Sequence, residues 1–406
     1  MTPPPEPAGA VPLAPPLAAA PAARARPNFS LLGLLALGHW VIDTNQGALP
    51  AILPFLRTAL GLSYTATGVI VLMANVTSSL IQPLFGYLAD KTARRWLLPL
   101  SVLLASAGLA LAGLAPSYPA VLALVVLMGF GVAAYHPEGY RTATQVAGDR
   151  KATGVSIFST GGNIGIATGP PLITALVTGW GLPGSLGMLL PGLVVAALLV
   201  AALPRLTAPA IARAQVATAA RRESRVGGMA LLVLVVTLRS WTQLGFTTFI
   251  PFYHLEVLGS DPQLVGILLA LFLGSGAVGT LAAGPVADRV GARRYVVAVF
   301  LLATPLAAAA LLSRGLLGAV FLAALGFVLV STFTVSVVLG QAYLPRSPGM
   351  ASGLIVGFAI GAGGLGVTVL GWVADRWGVV TALWVSGLMP LLGFLVSLGL
   401  PEPRTR

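Results

Sequence analysis

The sequence predicts an all-α polytopic membrane protein, with twelve transmembrane helices in two related six-helix bundles. Three observations predict it: an apolar composition, a series of apolar stretches of spanning length, and a repeat that relates the two halves. Of 406 residues, 57% are hydrophobic and only 8% charged, where soluble domains carry roughly 25% charged residues. A soluble globule has too little interior to hide that much apolar surface. A bilayer removes the difficulty, because its core accepts apolar side chains on the outside of the protein. The mean hydropathy of +0.93 agrees. So do 49 Gly and 31 Pro, which membrane helices tolerate better than soluble ones.

The net charge of +12 sits in short runs between apolar segments. That placement excludes nucleic acid as a partner and matches basic loops at lipid headgroups. Cys is absent, which excludes a disulfide framework and cysteine-metal sites. Neither a paired metal-ligand motif nor a cofactor motif is present, and the Gly-rich run Gly357 to Gly366 lacks the Lys-Ser/Thr of a phosphate loop.

Residues 1–28 are Pro/Ala-rich and read as a disordered cytoplasmic tail. Apolar stretches follow at about 30–56, 64–85, 96–115, 118–142, 152–177, 183–203, 228–252, 262–284, 293–313, 315–341, 349–373 and 379–400. Each is long enough to cross about 30 Å of hydrocarbon. The first six make an N-terminal bundle over 29–203 and the last six a C-terminal bundle over 228–401; 204–227 reads as a basic cytoplasmic linker and 402–406 as a short tail. Of 23 Lys and Arg, 19 fall on one side of these spans, Arg57, Arg314 and Arg376 on the other, and Arg239 alone lies mid-helix. The excess marks the cytoplasmic side and puts both termini there.

The halves repeat. Gly86-Tyr-Leu-Ala-Asp90-Lys91-Thr-Ala-Arg94-Arg95 returns as Gly284-Pro-Val-Ala-Asp288-Arg289-Val-Gly-Ala-Arg293-Arg294, with Gly86 and Gly284 offset by 198. Each copy lies between the second and third helix of its half. There Gly permits close helix approach, Asp caps or pairs across the loop, and the basic cluster anchors at headgroups. Arg141, in the fourth helix, joins these residues as an expected gating contact.

This paired loop resembles the signature loop of the major facilitator superfamily. Four further stretches are similar to the fosmidomycin resistance protein group of that superfamily: His39-Trp-Val-Ile-Asp43-Thr-Asn-Gln46, Leu80-Ile-Gln82-Pro83, His136-Pro137-Glu138-Gly-Tyr-Arg141, and Phe158-Ser-Thr-Gly161-Gly162-Asn163-Ile-Gly165-Ile-Ala-Thr-Gly169-Pro170. The resemblance implies the major facilitator fold and a secondary transporter of a bacterial inner membrane. It also implies proton-driven efflux of a small drug-like compound, an anion among the candidates. Three departures stand out: Ile42 replaces the Asn expected before Asp43, the stretch Val125 to Gly131 lacks the Arg of generic drug/proton antiporters, and the fifth helix lacks their trailing Gly.

Ionisable residues inside spans cost about 2.5–3.5 kcal/mol on insertion scales, so each is a candidate for function. His39, Asp43 and Gln46 share one face of the first helix, as proton-coupling and substrate groups or as a structural hydrogen-bond cluster. In the fourth helix, Glu138 is in helical reach of Arg141, and His136 precedes Pro137. This set reads as a second proton-coupling group or as a fixed ion pair that closes a gate. Arg239 suits an anionic substrate, or a counter-ion role toward Asp43. Asn163 and Trp241 complete the expected substrate contacts, although aromatics of that helix also suit packing. Gly161, Gly165, Gly169 and Pro170, at steps of about four, read as a helix-packing stripe. The expected partners are the lipid bilayer, protons and a small-molecule substrate, with the chain a monomer. An importer of an organic anion, or a non-transporting receptor or scaffold, remain alternatives on the same fold.

Overall fold

The computed structural model describes residues 26–85, 94–148, 150–206 and 224–402. Among the described residues, twelve principal helices form: α1 (Phe29–Leu60), α2 (Tyr64–Asn75), α3 (Leu97–Ala112), α4 (Tyr118–Val146), α5 (Lys151–Trp180), α6 (Leu189–Leu206), α7 (Val226–Phe252), α8 (Pro262–Val290), α9 (Ala292–Leu312), α10 (Gly315–Tyr343), α11 (Ile360–Trp377) and α12 (Val379–Leu398). Wider turns extend α2 over Val76–Leu80 and α7 over Tyr253–Val257, and Gly353–Ala359 leads into α11. The expected tail over 1–28, the linker over 204–227 and the tail over 402–406 lie largely outside the described residues, as do Asp90 and Lys91 of the first loop motif.

Local chemistry sets the helix ends. Asn28 accepts a hydrogen bond from the Leu31 amide and Ser63 one from Ala66, so both act as N-caps. Gly61 closes α1 at φ +61°, a left-handed conformation that favours glycine. Among the described residues, nine of the helices are long and apolar enough to cross a membrane by length and composition, and α3 is a shorter apolar helix. The remaining two, α1 and α5, carry the polar residues of the first and fourth motif stretches, which dilute their hydropathy.

The halves repeat one packing scheme. α1 packs on α5, and α3 on α4 and α6; in the second half α7 packs on α11, and α9 on α10 and α12. The Asn28 amide donates to the Val146 carbonyl at 2.9 Å, and the Arg225 amide repeats this with Tyr343 at 2.7 Å. The two bundles meet along α2 with α11 and α5 with α8.

The α1–α5 contact is the closest of these, and glycine makes it possible. A Cβ at Gly161 would strike the Ala36 carbonyl, one at Gly165 the Trp40 carbonyl and one at Gly169 the Thr44 carbonyl. The expected stripe thus faces α1. Pro170, the next residue, meets the opposite bundle: a Cβ on Gly266 of α8 would lie 3.1 Å from its carbonyl oxygen.

Candidate functional site

A cavity of about 640 Å³ lies between the bundles, within the usual size range for small-molecule sites. Asp43 and Gln46 of α1, Tyr140 of α4, Asn163 of α5, Arg239 and Gln243 of α7, Thr280 of α8 and Phe333 of α10 are among its lining residues. Its walls thus come from α1, α4 and α5 of one bundle and α7, α8 and α10 of the other.

On the α1 side, three side chains converge. His39 Nε2 lies 3.3 Å from Asp43 Oδ2, His136 Nε2 lies 3.3 Å from Asp43 Oδ1, and the two Nε2 atoms are 3.1 Å apart. His39 is held by a hydrogen bond from Nδ1 to the Phe158 carbonyl (2.8 Å) and by stacking on the Phe158 ring at 4.2 Å. His136 turns back on its own helix, Nδ1 donating to the Val132 carbonyl at 3.0 Å. A carbonyl can only accept, so both Nδ1 atoms carry the hydrogen. Two neutral imidazoles would therefore aim lone pairs at one another and at a carboxylate. The arrangement needs at least one extra positive charge among the three groups. Gly162 lets α5 approach this cluster: a Cβ there would lie 2.6 Å from Asp43 Oδ2.

Glu138 is fully buried. Its ion-pair partner is Arg95, at the start of the third helix, an association that a separation of 43 residues hid from the sequence. Arg95 also donates to Thr142 Oγ1 at 2.6 Å, to Gln145 Oε1, and through Nε to the Leu206 carbonyl at 3.3 Å. Its counterpart in the repeat, Arg293, does the same for the second half, with Nε donating to the Leu400 carbonyl at 2.5 Å and Nη2 to Leu398 at 2.8 Å. Arg293 and Arg294 further meet Glu402 at 3.2 and 3.8 Å. These residues of the loop motif bind the third helix of each half to the end of its sixth, while Asp288 and Arg289 are exposed.

Across the cavity, Arg239 is 3% exposed, and its Nε and Nη1 make no hydrogen bond among the described residues. No ion pair joins it to a carboxylate there, so a counter-ion role toward Asp43 is not what this conformation contains. Phe333 lies under the guanidinium, 5.9 Å from its centre. Trp241 departs from the expectation that it lines the site. Its indole N–H donates to the Ala362 carbonyl at 3.1 Å and its ring lies against Gly366, so it fastens α7 to α11.

The far end of the molecule is closed, by contacts that sequence reasoning missed. Arg57, after α1's last buried turn, donates to Glu256 Oε1 at 2.9 Å, and the Tyr64 hydroxyl donates to the other Glu256 oxygen. The Arg57 guanidinium lies 3.9 Å above the Tyr64 ring. Asp375, at the end of α11, caps the first turn of α2. The echo of the loop motif at Gly371 to Arg376 was the available signal for it.

The comparisons agree with this architecture. A model of the Major Facilitator Superfamily matches residues 35–365 and, again, 242–406. The chain is 33% identical over 400 residues to the fosmidomycin resistance protein of Escherichia coli strain K12, covering 95% of this chain and 96% of that one. It is 32% identical over 383 residues to the uncharacterized transporter YfnC of Bacillus subtilis strain 168, covering 91% and 92%. In fold it matches an inward-facing, occupied bacterial homologue of the human lysosomal transporter Spinster (TM-score 0.72, 16% identity, 91% and 96% covered). It also matches the inward-open xylose transporter XylE of E. coli (TM-score 0.70, 14% identity, 93% and 97% covered). A two-bundle helical fold, a polar cavity on the bundle interface and these likenesses have one reading: the chain belongs to the major facilitator superfamily and is a multi-pass membrane transporter, not an enzyme.

Proposed function

We propose that this transporter exports a small anionic compound in exchange for protons, by alternating access of the cavity to the two sides of the membrane. One observation carries the proposal: a single cavity between the bundles presents a proton-demanding Asp43–His39–His136 cluster on one wall and an uncompensated Arg239 on the other. An anion entering from the open side supplies what Arg239 lacks. A proton arriving from the opposite side supplies what the cluster needs. A ligand shifts a two-state equilibrium only by its differential affinity for the states, and the two groups stand on opposite bundles, whose relative placement a conformational change would alter.

The excess of basic residues puts the termini, and the end of the cavity near Ser156 and Gly284, on the cytoplasmic side. The pairs Arg57–Glu256 and Asp375–Thr65 then close the outer side, an inward-open state. Relationship to a protein named for fosmidomycin resistance supports the outward direction of export. Gln46 and Asn163 are positioned as neutral hydrogen-bonding contacts to the substrate. Glu138, the other expected coupling group, is held in a dense ion-pair network, which favours a structural or gating role on the cytoplasmic side. We take the working unit to be a monomer.

Everted membrane vesicles test the proposal. Supplied from outside with a panel of anionic compounds that includes phosphonates, they should accumulate substrate when the vesicle lumen is made acid. Asp43→Asn should abolish the gradient dependence while leaving substrate binding detectable. Accumulation that needs no proton gradient, or an Asp43→Asn variant with full gradient-driven transport, overturns the proposal.

A further inference from the structure

The His39–Asp43–His136 cluster has a property that proton coupling alone does not require. Its two imidazole nitrogens and two carboxylate oxygens close on one another instead of forming an open chain. We propose that these residues form a binding site for a divalent transition metal of the zinc class.

Three observations carry the site. First, both histidines have the same tautomer, fixed by Nδ1–H bonds to the Phe158 and Val132 carbonyls. Histidine ligands in metal sites are held in this way, with the second ring nitrogen bonded to a carbonyl or carboxylate. Second, the separations fit. Zinc–nitrogen bonds of about 2.0–2.1 Å place the vertices of a tetrahedron about 3.3–3.4 Å apart. Here the Nε2 atoms are 3.1 Å apart and each meets its own carboxylate oxygen at 3.3 Å, His39 on Oδ2 and His136 on Oδ1. All three ligand atoms lie within 4.8 Å of one another. Third, Asp43 Oδ1 is buried with no partner among the described residues besides His136 Nε2 at 3.3 Å, and Asp43 lines the cavity, which provides the entry path. Two imidazoles and one carboxylate suit a borderline-soft divalent ion and leave a fourth position for water. The ligands come from α1 and α4, with the histidines 97 positions apart, which is why no metal-ligand spacing showed in the sequence.

The chain makes the test clean, because it contains three histidines in all and no cysteine. Tag-free full-length protein in detergent is titrated with Co²⁺ near neutral pH. The expected result is one Co²⁺ per chain, with intense visible bands of a four-coordinate centre that Zn²⁺ abolishes. Removing a partner that merely orients a ligand costs about 10–100-fold in affinity. His39→Gln, Asp43→Asn and His136→Gln should therefore each weaken binding at least tenfold, and His254→Asn should leave it unchanged. Gel filtration reports folding for each variant, and the three ligands provide independent readings. Failure of the wild type to bind below about millimolar Co²⁺, or retention of the bands in all three ligand variants, overturns the site. Metal binding is read without transport, so that result would leave proton coupling standing, and loss of proton-driven flux would leave the metal site standing.

Discussion

Asp375 caps the helix of the opposite bundle: its carboxylate accepts from the Thr65 amide at 2.9 Å, from the Thr65 hydroxyl at 2.5 Å and from the Tyr64 amide at 2.7 Å. The residues are 310 apart in sequence. A helix N-terminus offers unpaired N–H groups and a partial positive charge, and α11 delivers a carboxylate to it across the bundle interface. In the proposed alternating-access cycle the cap is made when that end is closed and broken when it opens, so its energy belongs to one conformational state. N-caps contribute roughly 0.5–2 kcal/mol. Asp375→Ala should therefore shift the equilibrium about 2–30-fold toward opening there. A cysteine placed at the buried Thr67 reads this directly in a chain without native cysteines. Its labelling by an impermeant maleimide should rise several-fold in the Asp375→Ala background, and unchanged labelling would remove the cap from the gating account.

Arg57 and Glu256 reinforce the same closure, but both are about one-quarter exposed. Pairs of that exposure contribute roughly 0.2–1 kcal/mol. Arg57→Gln alone should raise Thr67 accessibility less than Asp375→Ala does. The charge-swapped pair Arg57→Glu with Glu256→Arg should restore part of the loss, and a double-mutant cycle with no coupling energy would show the contact to be incidental.

The fold was legible in the sequence because membrane solvation imposes long apolar helices and because the repeat names the equivalent elements. The loop motif was legible at Arg95 and Arg293 for the same reason. What those arginines bind was not: the Leu206 and Leu400 carbonyls and Glu138 come from helices whose packing no local spacing records. His39 and Asp43 were visible as one helical face, four residues apart. That His136 joins them depends on how α4 crosses α1. Trp241 misled because an indole on an inner helix satisfies its N–H equally well in a cavity or on a neighbouring carbonyl. Asp375 was hidden because its partner, the start of α2, is a backbone feature with no side-chain signature.

Gly162 separates the cluster's geometry from its chemistry. Gly162→Ala keeps all three ionisable side chains but inserts a methyl group 2.5 Å from His39 Nε2 and 2.6 Å from Asp43 Oδ2, which must shift to admit it. Overpacking of this kind costs about 1–3 kcal/mol. The thermal midpoint in detergent should fall and proton-driven transport should drop by at least tenfold. Gly179, at the end of α5, has open space around its Cβ position, so Gly179→Ala should transport normally. Equal activity of the two variants would mean that the cluster tolerates displacement and does not couple.

Glu138 and Arg95 form a buried pair, and breaking such a pair costs about 3–5 kcal/mol, because one charge is left uncompensated. Arg95→Met and Glu138→Leu should each destabilise strongly, while the double variant should recover much of the loss. If the double variant also transports in response to a proton gradient, Glu138 is structural and coupling rests on the Asp43 cluster. A stable double variant with no coupling would give Glu138 a direct part in proton movement.

Arg239 is the opposite case, a buried cation that the protein leaves uncompensated in this conformation. Burying it lowers stability unless an anion arrives. Replacement by Met, a similar volume without charge, should therefore raise the thermal midpoint of the ligand-free transporter while abolishing transport of anionic compounds. A hydrogen bond to a charged group contributes about 1.5–3 kcal/mol, so Arg239→Lys, which keeps the charge but loses the planar fork, should raise KM for the anion about tenfold or more. Adding that anion should stabilise the wild type by mass action and leave Arg239→Met unmoved. A fall in the ligand-free midpoint of Arg239→Met would mean that the guanidinium stabilises the fold, and would take the anion-binding role away from it.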